Sequence, residues 1–169
     1  MCGIAGVLGS PDEPILHRMN RIQGHRGPDE QSVHVEAPIG LAHTRLAILD
    51  VTGSQQPLHG TNGSSLIVNG EIYNHTSMRQ QVPYPYTTKG DSEVILALHQ
   101  HAASPGHSRS ANDHAAWIHR LDGMFAFALW DVEQQELILA RDALGIKPLS
   151  RTIVEGSLMF ASEAKAFQA

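Results

Sequence analysis

The chain of 169 residues sets 12 basic against 17 acidic side chains, a formal net charge of −5 with histidine neutral. That length suits one domain with a core of its own, and the acidic balance excludes the basic face on which nucleic-acid binding rests. No run of about 18 apolar residues offers a membrane span, and no charged-then-apolar leader marks a secretory signal. A single cysteine, Cys2, forms no internal disulfide and suits a reducing compartment, so the expected location is the cytoplasm. The N-x-S/T sequons at Asn62 and Asn74 are read as chance.

In chain order, "GIAGVLG" is a short apolar run closed by Gly-Ser-Pro and predicts a buried strand with a turn after it. Ile15, Met19 and Ile22 then recur at helical spacing behind Asp12 and Pro14, which predicts a helix from Asp12 to Gln23. "HRGPD" interrupts regular structure through its Gly-Pro pair. "IGLAHTRLAILD" holds two apolar stretches around a polar His-Thr-Arg, and "SLIVNGEIYN" reads as a strand running into an Asn-Gly corner. "DSEVILALHQHAA" places Val94, Ile95, Leu98 and Ala102 on one helical face, with Asp91 as the N-cap. "GMFAFALWD" alternates bulky Phe125, Phe127 and Leu129 with Ala126, Ala128 and Trp130, a period-two strand that "VEQQ" turns into "ELILARD" as a hairpin. "SLMFAS" is a last strand and "EAKAF" a helical stub. Antiparallel strand pairs separated by helices predict an α+β domain of two stacked sheets covered by helices.

Eleven histidines invite a metal site, and His99, His101, His107, His114 and His119 crowd one region. Neither His-Glu-x-x-His nor paired Cys-x-x-Cys spacing is present, so "HQHAASPGHSRSANDH" is read as a solvated loop between helices, with no metal.

Cys2 carries the sharper chemistry. With Met1 removed, it holds both a thiol, unperturbed pKa ~8.5, and a free α-amine near ~7.7–8.0, against ~10.4 for a lysine amine. Such an amine accepts a proton near neutrality and supplies the nucleophile with its own base. The competing reading of the same residue is a small packed hydrophobe at a chain end.

Eight segments decide between them: "MCGIAGV", "HRGPD", "AHTRLAILD", "VNGEIYNH", "GDSEVILAL", "LDGMFAFALWD", "RDALGIKPL" and "FASEAKAF". In this order, along nearly the whole chain, they resemble the class II glutamine amidotransferase domain, most closely the glutaminase domain of asparagine synthetase. The resemblance implies an N-terminal-nucleophile hydrolase over residues 1–169: a four-layer α/β/β/α sandwich that hydrolyses L-glutamine to L-glutamate and ammonia.

Carried across residue by residue, it implies Cys2 as nucleophile and Asn69 and Gly70 as oxyanion donors, one through its side-chain amide and the other through its backbone N–H. It implies Arg45 for the substrate carboxylate, Glu71 and Asp91 for the ammonium, and the backbone of Leu46, Ala47, Ile48 and Leu49 as pocket lining. Arg26 of "HRGPD" is read as a structural support rather than a substrate contact. No cofactor or metal is implied in this domain. ATP and Mg belong to a synthetase domain, for which no "SGGLDS"-type loop appears here, so that partner is expected in cis or in trans. Ser150 and Arg151 depart from the aromatic pair that the family commonly shows after Lys-Pro-Leu. The first helix is shorter than usual and the histidine-bearing loop longer. Two other readings stay open: the same glutaminase serving a different acceptor, and a degenerate, non-catalytic interaction domain.

Overall fold

The computed structural model describes residues 1–50, 52–102 and 111–169. Among these, strands β1 (Gly3–Leu8), β2 (Glu30–Glu36), β3 (Ile39–Arg45), β4 (Leu58–His59), β5 (Ser65–Ile72), β6 (Gly123–Asp131), β7 (Glu136–Arg141), β8 (Ser150–Val154) and β9 (Ser157–Ala161) alternate with helices α1 (Glu13–Ile22), α2 (His75–Gln81), α3 (Glu93–Ala102) and α4 (Ala111–Ile118). The strands form a five-stranded sheet in the order β2-β3-β1-β9-β8 and a four-stranded sheet in the order β4-β5-β6-β7, with antiparallel pairing throughout.

The period-two reading of β6 explains how the sheets stack. Phe125, Phe127 and Leu129 pack under α3 and α4 with Leu96, Leu98 and Trp117. Ala126, Ala128 and Trp130 face the other way, onto Ile4, Ile39, Leu41 and Phe160 of the five-stranded sheet. Small side chains on that face let the two sheets approach. On the far side of the five-stranded sheet, Ala5, Val7 and Ala42 receive Leu16 and Met19 of α1, together with Ala166 of the 3₁₀ turn Ala164–Gln168. The result is the expected α/β/β/α sandwich.

Helix α1 starts after Asp12, with a proline in its first turn, Glu13 at its N-terminus and Arg21 near its C-terminus, the charge placement that a helix dipole favours. Its buried face is Leu16, Met19 and Asn20, not the Ile15–Met19–Ile22 stripe, so the helix is rotated slightly from the sequence reading. Three other expectations are corrected. Asn69 and Gly70 make no corner: β5 runs straight through them, with Asn69 opposite Ala126 and Gly70 opposite Phe125. An uninterrupted partner strand on β6 outweighs the local turn preference. The polar His43, Thr44 and Arg45 are not exposed as their polarity suggests but lie buried as the last residues of β3, before the second apolar stretch. His99, read as solvated, is buried on α3, where its Nε2 lies 3.2 Å from a carboxylate oxygen of the equally buried Asp131. His101 ends up in α3 and His114 in α4, while His107 lies outside the described residues.

Candidate active site

At one end of the sandwich the two sheets part around a cavity of about 170 Å³. The five-stranded sheet brings Cys2, just ahead of β1, and Arg45, the last residue of β3. The four-stranded sheet brings Asn69, Gly70 and Glu71 from the second half of β5. Leu46, Ile48, Leu49 and Asp91 also line it. Of the ten residues that the resemblance assigns to the site, only Ala47 is not in the wall. Its N–H instead donates to Asp29 Oδ2 at 2.8 Å, which ties the loop after β3 to the end of "HRGPD".

Cys2 is half-buried, and its Sγ lies against a single residue of that loop. It accepts from Leu46 N at 3.4 Å and donates to Leu46 O at 3.7 Å. Arg45 is buried, and its guanidinium ties back the loop it begins, donating to Asp50 O at 2.8 Å and lying 3.4 Å from Glu30 Oε2. Asp50 in turn bridges to the opposite wall, accepting from Lys89 N at 2.8 Å and from Ser54 Oγ at 2.9 Å. Those bonds, the Lys89 N–H first, hold its carboxyl below the usual range. Gly27 lets "HRGPD" cross beneath: a Cβ there would overlap the backbone of Thr44 and Arg45.

Asn69 is 1% exposed, and neither its Oδ1 nor its Nδ2 has a hydrogen-bond partner. An unpaired buried amide costs free energy unless something else completes it. This one belongs to a residue of the cavity wall. Gly70 beside it sits where a Cβ would run into the carbonyl of Met124 and the backbone of Phe125, so only glycine fits this register. Asp91 does not cap α3. Its Oδ2 accepts from Ile72 N at 2.6 Å and its Oδ1 from Ser92 Oγ at 3.4 Å, so the carboxylate is fixed at the end of β5. Glu71, half-buried, makes no ion pair among the described residues.

Supporting groups that the sequence reading missed give this wall its shape. Gln56 Oε1 takes the N–H of Val68 at 2.6 Å. Glu93, 2% exposed, takes the N–H and hydroxyl groups of both Thr87 and Thr88 at 2.7–3.0 Å. Burial alone would raise its carboxyl, but these bonds prevail and hold it below the ordinary value. Asp142 gathers the N–H groups of Phe125, Leu144, Ile146 and Lys147 at 2.8–3.2 Å, folding the segment that brings Lys147 to the cavity. His43, one residue from Thr44 in β3, spans the sheets to Val68 O at 3.1 Å. Burial pushes its pKa down to about 4; the Val68 bond opposes this and the Arg45 charge adds to it. Gln56 and His43 act on a backbone group distant in sequence, whereas Glu93 and Asp142 chiefly fold the loops beside them. Among the described residues no group of three or more His, Cys, Asp or Glu side chains could hold a metal, and no helix is long and apolar enough to cross a membrane.

The sequence matches, over residues 1–169, the family model described as a glutamine amidotransferase domain. The chain belongs to the class II glutamine amidotransferases. It is 40% identical to "Asparagine synthetase [glutamine-hydrolyzing] 3" of Arabidopsis thaliana, over 98% of this chain and 28% of that protein. It is 38% identical to "Asparagine synthetase B [glutamine-hydrolyzing]" of Escherichia coli, over 98% of this chain and 30% of that protein. It is 36% identical to "Amidase chyE" of Penicillium rubens, over all of this chain and 26% of that protein. The amidotransferase domain thus spans less than a third of the curated relatives named here, and among the asparagine synthetases it corresponds to their glutaminase half. Its fold matches that of the glutamine phosphoribosylpyrophosphate amidotransferase from B. subtilis complexed with ADP and GMP, with a TM-score of 0.76 at 22% identity over 99% of this chain and 43% of the other.

Proposed function

We propose that this domain hydrolyses L-glutamine to L-glutamate and ammonia, with Cys2 as the nucleophile. The observation that carries the reading is the buried, unpartnered amide of Asn69 in the same cavity as the Cys2 thiol and the Arg45 guanidinium. Cleavage of the bond before Cys2 frees its α-amine, which takes the thiol proton directly or through one water. Sulfur then attacks the carboxamide carbon, and the carbonyl oxygen becomes an anion between the Asn69 side-chain amide and the Gly70 N–H, the donors such an intermediate needs. The protonated amine passes its proton to the nitrogen, the C–N bond breaks, and ammonia leaves. Water adds to the γ-glutamyl thioester, releasing glutamate and restoring the thiol.

Arg45 pairs with the substrate α-carboxylate, using the two-pronged geometry that guanidinium offers, while Glu71 and Asp91 receive the α-ammonium. Leu46, Ile48 and Leu49 close the side. No cofactor or metal takes part in this half-reaction. The ammonia acceptor is ATP-activated aspartate on a synthetase domain in cis or in trans, the reading that 35–41% identity to asparagine synthetases supports. The likeness to an amidase at 36% identity favours, as a second reading, the same glutaminase delivering to another acceptor. The reducing cytoplasm suits the exposed chemistry of Cys2 and is its place of work.

The test is glutamate release by the purified protein, with the mature N-terminus read by mass spectrometry. The active form begins at Cys2, and Cys2→Ala abolishes release. A diazoketone analogue of glutamine labels Cys2 stoichiometrically even where turnover is slow. Turnover by Cys2→Ala at the wild-type rate, or full activity with residue 1 still attached, overturns the reading.

A further inference from the structure

We propose that Glu163, acting through Arg26, is a positioning residue for the Cys2 nucleophile; the inference rests on the glutaminase reading. Cys2 lies outside the β1–β3 ladder, whose first pair at this end is Gly3 with Thr44. With residue 1 removed, its backbone hangs from one peptide group. That group is held from the side: Arg26 Nε donates to Cys2 O at 2.9 Å. The guanidinium is aimed by its other edge, where NH1 donates to Glu163 Oε1 at 2.8 Å, and the arginine side chain is 8% exposed.

Glu163 stands 137 positions from Arg26, directly after Ser162, which clamps the next residues of the same strand. Ser162 N donates to Ile4 O at 2.8 Å, and Ile4 N donates to Ser162 Oγ at 3.0 Å. Two consecutive residues near β9 thus fix the backbone at Cys2 and Ile4. The Glu163 carboxylate also meets the His25 ring at 3.0 Å and Lys165 at 2.9 Å, so two cations and an imidazole converge on it. Burial opposes its ionisation, but the Arg26, Lys165 and His25 contacts draw its pKa down to about 2, which keeps it charged at any working pH.

The geometry makes this pair more than a buried strut. Leu46 locates Sγ. Fixing the Cys2 carbonyl as well leaves the α-amine one direction in which to point. The amine is the base of the reaction, so a loosened carbonyl misplaces the proton acceptor while the substrate contacts of Arg45, Glu71 and Asp91 stay intact. Displacements on the scale of 1 Å cost up to about 100-fold in rate.

The experiment compares wild type, Glu163→Ala, Glu163→Gln, Arg26→Ala and the Arg26→Ala/Glu163→Ala double variant. Active sites are first titrated with the diazoketone, so that misfolded molecules do not count. Per titrated site, Glu163→Ala lowers kcat about 10- to 100-fold with KM within about twofold. Glu163→Gln, which keeps an acceptor for NH1, recovers most of the loss. On the Arg26→Ala background, removing Glu163 costs less than about twofold, because the two act as one unit. A second measurement needs no glutamine: alkylation of Cys2 by iodoacetamide near neutral pH slows at least about threefold in Glu163→Ala and is restored in Glu163→Gln. Wild-type kcat per site, a rise confined to KM, full additivity with Arg26→Ala, or unchanged alkylation each overturns the assignment. Failure of the glutaminase reading shows differently, as wild-type protein that alkylates at Cys2 with the predicted Glu163 dependence yet releases no glutamate.

Discussion

His43 ties the stability of the sandwich to pH in a way that can be worked out beforehand. In the folded protein it is neutral and donates to Val68 O across the sheets, with its pKa lowered from 6.5 to about 4, chiefly by burial. The unfolded chain therefore binds the proton first as pH falls. Stability is at its full value above pH 6.5, declines below it, and stops declining from this source beneath about pH 4. At 1.36 kcal/mol per pH unit the complete effect is about 3 kcal/mol, of which about 2 kcal/mol is lost between pH 7.5 and pH 5. The perturbation is His43→Gln, whose amide nitrogen reaches the same carbonyl without titrating. Urea unfolding of both proteins at the two pH values is the assay. Wild type loses about 2 kcal/mol more than the variant, roughly 1 M in midpoint. The lowered carboxyls of Asp50, Glu93, Asp142 and Glu163 give way only nearer their own range, as pH falls below about 4.5, and are common to both proteins. Parallel pH dependence in the two proteins would refute the assignment of a buried neutral imidazole.

Two further outcomes test the wall of the cavity. Asn69→Ala removes one of two oxyanion donors and lowers kcat/KM about 100- to 1000-fold, a loss of ~2.7–4 kcal/mol of barrier stabilisation, measured by glutamate release; because the native amide is unpaired, the same change leaves the urea midpoint the same or higher. Glu93→Gln does the reverse: it weakens the four-donor grip on Thr87 and Thr88 and destabilises the protein by about 2 kcal/mol, read in thermal unfolding, while KM for glutamine rises as the Lys89–Asp91 wall loosens.

What was legible in the sequence were the features whose cause lies within a few residues. The alternation of Phe125, Phe127 and Leu129 with Ala126, Ala128 and Trp130 marked β6 as a strand with two unlike faces, and each face is buried against a different layer. The start of α1 followed from Asp12 and Pro14. Three of the four edge strands escaped notice: β2 and β8 carry mixed, half-exposed side chains, and β4 spans two residues. Helix α2 buries only Met78 and lacks an apolar stripe. The Asn-Gly corner failed for the opposite reason, since a local preference there met a complete cross-strand partner. Cys2 drew notice through its own chemistry, and the other candidate catalytic residues became legible only as a resemblance, through motifs rather than through periodicity.

The groups that escaped reading share a physical signature. Gln56, Ser162 and Glu163 spend their polar side chains on backbone or guanidinium groups 12 to 158 positions away, and Asp142 reaches Phe125 N across 17. The proposed nucleophile, just ahead of β1, and the proposed oxyanion pair, inside β5, belong to different sheets, and no hydrogen-bond ladder joins those sheets. Their relative position rests on the small-residue packing between the layers and on such long-range polar clamps. Composition and spacing describe the first of these; the second exists only once the chain has folded. A variant that leaves every substrate contact in place can therefore still impair the chemistry, and the clamp from Glu163 through Arg26 to the carbonyl of Cys2 is where that separation between binding and turnover is most directly open to measurement.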